Sequence, residues 1–182
     1  LSVGFDFSLP HDLFTTMSLI VKTPWREGLS EWVYETAAAM GAERRVEMGT
    51  LTPFFGEILQ APAAPLASLP PHDPAWQDLD ALRRYLAGQA GAFFAALGRT
   101  FVERVQACET GRGVVSAANL SARDVLDLHA ESQRERRGLA HLDFDPQRAA
   151  VFVEQPKRLR DSLDEMLDWF GAGVYLPALC QD

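Results

Sequence analysis

The segment from residue 156 to residue 170 places the strongest constraint on the fold of this chain. Its apolar residues recur at the spacing of one helix face, and charged residues occupy the opposite face. The apolar positions, with one further on, are Leu159, Leu163, Met166, Leu167, Phe170 and Val174. Pro156 falls in the first turn, where a missing N–H costs no helical hydrogen bond. The pattern predicts an amphipathic helix that needs an apolar partner surface.

The size and charge of the chain limit the classes of function open to it. A chain of 182 residues can bury a sizeable core without disulfides or metals. Its 25 acidic and 17 basic side chains give a formal charge of −8, which disfavours contact with a phosphate backbone. The densest basic run, residues 134–137, is interrupted by Glu135. We therefore expect no nucleic-acid site within these residues.

Residues 1–8 alternate between apolar and polar side chains, which is typical of a β-strand. Val3, Phe5 and Phe7 share one face of this predicted strand. Because a lone strand leaves its backbone groups unpaired, it needs a distant segment, a second copy of the chain or another domain as a partner. Within the chain the best candidate is the segment of residues 113–116, although the match is poor.

The other segments have helical spacing, and proline marks four of the predicted helix starts. These starts are at Pro53, Pro74, Pro146 and Pro156. The patterns together predict an all-α fold class: an irregular multi-helix bundle with one short N-terminal β-strand.

Polar residues provide further signals for where helices begin. Ser8 and Ser30 are candidate caps for two early helices, and Ser121 with Asp124 resembles a capping box. A short turn is predicted for residues 44–48, before the helix that starts near Pro53.

Residues 61–74 are the clearest break in the chain. Five prolines lie here in an Ala-rich stretch that carries almost no charge, which suits an extended connection. The segment before it is too small to fold well alone. We therefore predict that residues 1–182 form a single helical domain of effector or dimerisation type, with a Pro-rich internal loop at 61–74.

Four histidines are candidate metal ligands or bases: His11, His72, His129 and His141. A helical metal site needs a second ligand three or four residues away, and after His129 those positions hold Ser132 and Gln133. The weak pair of His141 and Asp143 comes nearest. We expect structural or exposed roles for all four, and no metal.

The two cysteines do not resemble catalytic thiols. Cys108 lies in an apolar helical stripe, whereas a reactive thiol needs a polar, electropositive setting. Cys180 has no evident base near it. With no GxSxG string and no phosphate-binding glycine loop, we predict no catalytic residue and no cofactor, and we favour a non-catalytic protein over an enzyme.

Aromatic residues are numerous, and such a set most often fills a core. The alternative is an apolar pocket between helices, where a small apolar ligand would bind. The candidate ligand-binding residues for that alternative are Phe54, Phe55, Trp76, Phe93, Phe94 and Trp169.

The first 20 residues lack the basic start of a signal peptide. The longest strongly apolar stretch, residues 13–21, is too short to span a bilayer. We expect a cytoplasmic protein with no membrane partner.

Two segments resemble long ArsR-type winged-helix transcription regulators. They are residues 3–13 (VGFDFSLPHDL) and the stretch from residues 154–160 (EQPKRLR) through Trp169 and Phe170 to residues 175–179 (YLPAL). In the long members a helical region precedes a winged helix that binds DNA. The resemblance implies a bacterial-type regulator, but no recognition helix or hairpin wing is present in these 182 residues.

These observations lead to a hypothesis with two alternatives. We expect a non-catalytic regulatory domain, either effector-binding or dimer-forming, that associates as a homodimer and meets DNA only through a domain not present in this chain. The alternatives are an enzyme or small-molecule-binding protein with an aromatic-lined pocket, and a protein–protein interaction module. The short ArsR proteins sense metals through CxC-type strings, and because Cys108 and Cys180 do not form one, metal sensing is not implied.

Overall fold

The computed structural model describes residues 8–25, 27–55, 69–70, 72–110, 121–135, 139 and 142–180, and every regular element in these ranges is helical. The α-helices are α1 (Leu9–Val21), α2 (Glu31–Ala39), α3 (Ala42–Phe55), α4 (Leu79–Ala87), α5 (Gly91–Thr110), α6 (Ala122–Glu135), α7 (Pro146–Glu154), α8 (Pro156–Met166) and α9 (Leu176–Leu179). A π-helix, Leu167–Tyr175, joins α8 to α9. The predicted all-α class is confirmed for these residues. The predicted N-terminal strand lies outside them, apart from Ser8.

Local sequence signals position several helix starts as predicted. The Asp145 side chain caps α7 by accepting hydrogen bonds from the backbone N–H groups of Gln147 and Arg148 at 2.9 and 3.0 Å. Before α6, the backbone N–H of Ser121 donates to Asp124 Oδ2 at 2.7 Å. That bond is one half of a capping box, and the Ser121 hydroxyl donates to the same Oδ2 atom at 2.8 Å, so the interpretation of these residues is confirmed in part.

The prediction for residues 44–48 is wrong. These residues form the middle of α3, which begins at Ala42 and contains Pro53 in its last turn instead of starting there. The helix persists because its polar residues are satisfied by other helices, through contacts that sequence spacing does not reveal. Pro53 cannot donate to the Gly49 carbonyl, but only two residues follow it in α3, so the disruption is confined to the last turn.

The predicted helix start at Pro74 is wrong in type. Residues Pro74–Trp76 make a single 3₁₀ turn, which Asp73 caps by accepting from the Ala75 N–H at 2.9 Å. The α-helix starts later, at Leu79, where the Asp78 side chain accepts from the Ala81 N–H at 2.6 Å. Two capping aspartates five residues apart give two short elements where one was predicted. Most of the predicted 61–74 loop lies outside the described residues.

The C-terminal amphipathic helix is confirmed, and its apolar face is covered by the chain itself. Helix α8 packs against α3, α4, α5 and α7. Its face is buried, together with the first residues of the π-helix: Leu159, Leu163, Met166, Leu167 and Phe170. Burial of each such side chain contributes roughly 1.5–3 kcal/mol. The partner surface that the sequence required is therefore intramolecular.

Helix α3 crosses the segment before α7 at very short range. A Cβ added at Gly49 would overlap the backbone carbonyl oxygen of Asp143. The Thr50 hydroxyl beside it accepts a hydrogen bond from the Asp145 backbone N–H at 2.9 Å and donates to the Val46 carbonyl at 2.7 Å. Only glycine permits this approach, which fixes α3 against the start of α7.

Candidate functional site

Glu47 is the one buried charged residue in the part of the chain that the structure describes. Its Oε2 accepts a hydrogen bond from Arg44 Nη1 at 2.6 Å, and its Oε1 accepts one from Arg148 Nη2 at 3.0 Å. A guanidinium group on each oxygen offsets the cost of removing the carboxylate from water. Because Arg148 lies on α7, the cluster ties α3 to α7.

Arg44 extends this cluster toward α8. Its Nη1 lies 3.3 Å from Glu165 Oε1, and its guanidinium carbon lies 5.0 Å from the centroid of the Trp169 ring. The hydrogen bond to Glu47 raises the pKa of Arg44, with a smaller contribution from Glu165. This cation over an aromatic face links α3 to both α8 and the π-helix.

The π-helix ends at a phenol bonded to a carboxylate. The buried Tyr175 hydroxyl donates a hydrogen bond to Asp12 Oδ2 on α1. Burial raises the pKa of Tyr175, and the bond to Asp12 raises it further. Short π-helical stretches occur often at functional positions, and this one carries Gly171 packed directly against Leu79 of α4.

A cleft of about 480 Å³ lies between α4 and α8. Leu86 and Ala87 of α4 form one apolar wall, and Leu163 of α8 with Leu167 of the π-helix forms the other. Ala87 is exposed at the mouth, whereas the three leucines are almost fully buried and present only their edges. The floor of the cleft is therefore apolar and is fixed by the core behind it.

Charged residues form the rim of the cleft: Arg83, Arg160, Asp161 and Asp164. Arg83 Nε lies 2.9 Å from Asp164 Oδ1, Nη2 lies 3.3 Å from Asp164 Oδ2, and Nη1 lies 2.7 Å from Asp168 Oδ1. These hydrogen bonds, led by the one to Asp164, raise the pKa of Arg83. Asp164 on the charged face of α8 therefore forms a bidentate bridge to α4, and Asp168 of the π-helix adds a further bond to the same arginine.

The six candidate ligand-binding aromatics occupy different environments. Phe54, Phe55 and Phe94 are buried; the Phe54 ring stacks on Phe101 with centroids 4.2 Å apart. Phe93 is half-buried beside Phe94, with ring centroids 4.9 Å apart. None of the six lines the cleft between α4 and α8.

The two tryptophans of that set make polar contacts at the edge of the core. Trp76 Nε1 donates to the Pro70 carbonyl at 2.8 Å, and Trp169 lies beneath the Arg44 guanidinium. Ligand binding at these six aromatics stays a prediction of the sequence.

His129 packs against an aromatic ring and faces no acid. Its ring centroid lies 5.6 Å from that of Phe144, and its Nε2 is 3.2 Å from Gln133 Nε2. Partial burial lowers the pKa of His129. His11 and His72 are exposed, Cys180 is an exposed free thiol, and His141 and the Cys108 side chain lie outside the description.

No group of three or more His, Cys, Asp or Glu side chains in the described ranges converges as a metal site. No helix in them has both the length and the apolar run needed to cross a bilayer.

Comparison with protein-family models, with curated proteins and with solved structures found no match for this chain.

Sequence reasoning did not identify the residues that the structure brings together around the cleft. Sequence spacing gave no sign of this role for Arg83, because Asp80 lies three positions before it and offers a carboxylate partner on the same helix. Its partners, Asp164 and Asp168, are 81 and 85 positions away. Only the packing of α4 on α8 reveals that these groups meet.

Proposed function

We propose that this chain is a non-catalytic, effector-binding domain of a bacterial-type transcription regulator, of the kind that precedes the winged helix in long ArsR-type regulators. The resemblance of residues 3–13 and 154–160 supports the class. DNA contact in such a regulator comes from a separate domain, so a formal charge of −8 on this chain fits the role.

The cleft between α4 and α8 carries the proposal. Its volume of about 480 Å³ lies within the range of small-molecule sites. Its lining is half apolar and half charged, so it offers contacts for both an apolar portion and a charged group of a small molecule. Leu167 lines the cleft and is also the first residue of the π-helix, so an occupant would contact an element whose backbone geometry is unusual.

The engagement of the acidic groups favours binding over catalysis. Both oxygens of Glu47 are bonded to guanidinium groups inside the core. Both oxygens of Asp164 are bonded to Arg83 at the rim of the cleft. A general acid or base must exchange a proton with a bound molecule, and carboxylates held in this way are poorly placed to do so.

A fusion experiment tests the regulatory role. The chain is joined to a DNA-binding head that represses its operator only as a dimer, because two-fold operators require two correctly spaced heads. We propose that the chain forms a homodimer, and we expect the fusion to repress a reporter about as well as a fusion to a known dimerising segment. Absence of repression, with the fusion protein present at the same level, would contradict the dimeric part of the proposal.

The effector-binding role has a separate readout. The melting temperature of the full chain is measured against a panel of small organic acids, amines and neutral apolar compounds, since a ligand that binds only the folded state raises it. At least one chemical class should raise the melting temperature in a concentration-dependent way. A panel without effect would remove this role.

A further inference from the structure

The two arginines at the rim of the cleft differ in how fully they are bonded. Arg83 donates from all three of its nitrogens to carboxylates on α8 and the π-helix. Within the part of the chain that the structure describes, Arg160 donates only from Nε and Nη2, at 3.2 and 3.0 Å, and both bonds go to the same oxygen, Oδ1 of Asp161. A guanidinium group has five N–H donors, so three of those on Arg160 are unused by these bonds.

Arg160 is also accessible from the cleft. Its side chain is 35% exposed, and its partner Asp161 is its neighbour in the chain, with a side chain that is 51% exposed. An ion pair between exposed neighbours is weak, because water and salt screen it. The guanidinium of Arg160 is therefore free to take a second acceptor without breaking a buried contact.

Of the groups at the rim, Asp164 is bonded through both oxygens and Asp161 through Oδ1, whereas three N–H groups of Arg160 are unused by its two bonds. Asp164 has both oxygens bonded to Arg83, whereas Arg160 keeps unused N–H groups beside the apolar edges of Leu86, Leu163 and Leu167. A ligand that matches this wall brings hydrogen-bond acceptors for the guanidinium and an apolar portion for the leucines. Planar guanidinium groups bind carboxylates in a two-point geometry, which makes a carboxylate the fitting head group.

We infer that the cleft between α4 and α8 binds a small monocarboxylate with an apolar tail. The carboxylate pairs with Arg160, and the tail lies along Leu86, Leu163 and Leu167. The inference rests on the proposed effector-binding function and names the chemical class of the effector.

The test uses the full chain and three probes that share one eight-carbon tail: octanoate, octylammonium and octanol. Amide shifts in nuclear magnetic resonance spectra give both the affinity and the location of each probe. We expect octanoate to shift amides of α4 and α8 and to bind more tightly than the other two. Octanoate should also bind more weakly as salt is raised, because Arg160 is accessible to solvent.

Variants separate the carboxylate site from general apolar binding. Arg160→Gln should weaken octanoate binding roughly tenfold or more. Arg160→Lys should have an affinity between those of the native chain and Arg160→Gln, because lysine keeps the charge but lacks the planar donor pair. The control Arg123→Gln alters an arginine that is 88% exposed on α6, outside the cleft, and should leave octanoate affinity unchanged.

A variant at a different position keeps the proposal testable if substitution of Arg160 prevents folding. Ala87 is exposed at the mouth of the cleft, so Ala87→Glu should fold, repel octanoate and improve octylammonium binding. Circular dichroism melting checks the fold of each variant.

The inference is overturned if octylammonium binds as tightly as octanoate, if Arg160→Gln leaves octanoate affinity unchanged, or if the shifts map away from α4 and α8. It is also overturned if no probe binds. In each case the proposed function is judged separately, by the fusion reporter and by the wider panel of compounds.

Discussion

At Glu47, two arginines make a carboxylate tolerable inside the protein. An isolated ionised carboxylate in the core would cost several kcal/mol, and a bond from a guanidinium to each oxygen recovers most of that cost. Such a cluster adds little net stability compared with an apolar core. Loss of the carboxylate would nevertheless destabilise the fold, because Arg148 would lose its acceptor on α3 and Arg44 would be left with the exposed Glu165.

Glu47→Gln tests this account. The amide keeps the shape of the side chain but removes the negative charge between Arg44 and Arg148, so we expect the free energy of unfolding to fall by about 3 kcal/mol. Urea denaturation at pH 7 measures it. The matched control is Glu165→Gln, at a carboxylate that is 59% exposed and also bonded to Arg44, for which we expect a change of at most about 0.5 kcal/mol. Equal effects of the two variants would contradict the buried cluster.

Gly49 gives a steric prediction at the same scale. The Asp143 carbonyl oxygen occupies the space that a Cβ at this position would need. Gly49→Ala should therefore destabilise the fold by about 2–3 kcal/mol, as α3 and the segment before α7 move apart. Thermal unfolding followed by circular dichroism measures the effect. Gly91→Ala is the control, because an added Cβ there meets nothing within 4 Å and alanine favours the helix. A neutral Gly49→Ala would show that the crossing is looser than described.

At the scale of elements, the π-helix is held at both of its ends. Asp168 near its start is bonded to Arg83 of α4, and Tyr175 at its end donates to Asp12 of α1. A π-helix is less favourable than an α-helix, so contacts with other elements must stabilise it. The hydrogen bonds of these two side chains anchor the π-helix to other helices.

The Tyr175 contact gives a pH dependence with a definite sign. The pKa of Tyr175 is raised in the folded state, so its contribution to stability is complete below the ordinary tyrosine value of about 10 and is lost as the pH rises beyond it. We expect Tyr175→Phe to lower the free energy of unfolding by about 1–2 kcal/mol at pH 8. The difference from the native chain should shrink above pH 10, as urea titrations between pH 8 and pH 11 would reveal.

The control for this experiment is Tyr34→Phe, which removes the phenolic hydroxyl of an exposed tyrosine on α2. It should alter the free energy of unfolding less than Tyr175→Phe does. A difference between the native chain and Tyr175→Phe that stays constant up to pH 11 would contradict the Asp12 bond.

Elements defined by local signals could be predicted, and those defined by distant partners could not. The starts of α7 and α6 were predictable because a capping residue acts within one helical turn. The signals were Asp145 with Pro146 for α7, and Ser121 with Asp124 for α6. Helix α3 was missed because its polar residues are satisfied from elsewhere: Glu47 by Arg148, and Thr50 by the Asp145 N–H. The rim of the cleft escaped prediction for the same reason, since Arg83 meets Asp164 only after α4 packs on α8.

At the scale of the whole molecule, the buried apolar side chains form a continuous cluster to which α1, α3, α4, α5, α7 and α8 all contribute. Helix α8 lies centrally in this cluster, in contact with α3, α4, α5, α7 and the π-helix. Helix α2 contributes only Val33 and Ala37 to the buried set and packs mainly on α1. Stability is therefore expected to be distributed unevenly, highest around α8 and lowest toward α2.

Hydrogen exchange provides the measurement for this distribution. Amides of Leu163 and Met166 should exchange only through global unfolding, whereas those of α2 should exchange faster by roughly tenfold or more, through local opening. Exchange followed by mass spectrometry after proteolysis resolves the two helices. Equal protection of α2 and α8 would contradict the expected gradient.

The central position of α8 also has a consequence for how the protein is made. On the ribosome, α3, α4, α5 and α7 are synthesised before the helix whose apolar face they share. Until α8 emerges, the leucine and phenylalanine side chains that will cover it stay exposed to solvent. We therefore expect the nascent chain to bind chaperones that shield apolar surface until α8 has been synthesised and the core can close.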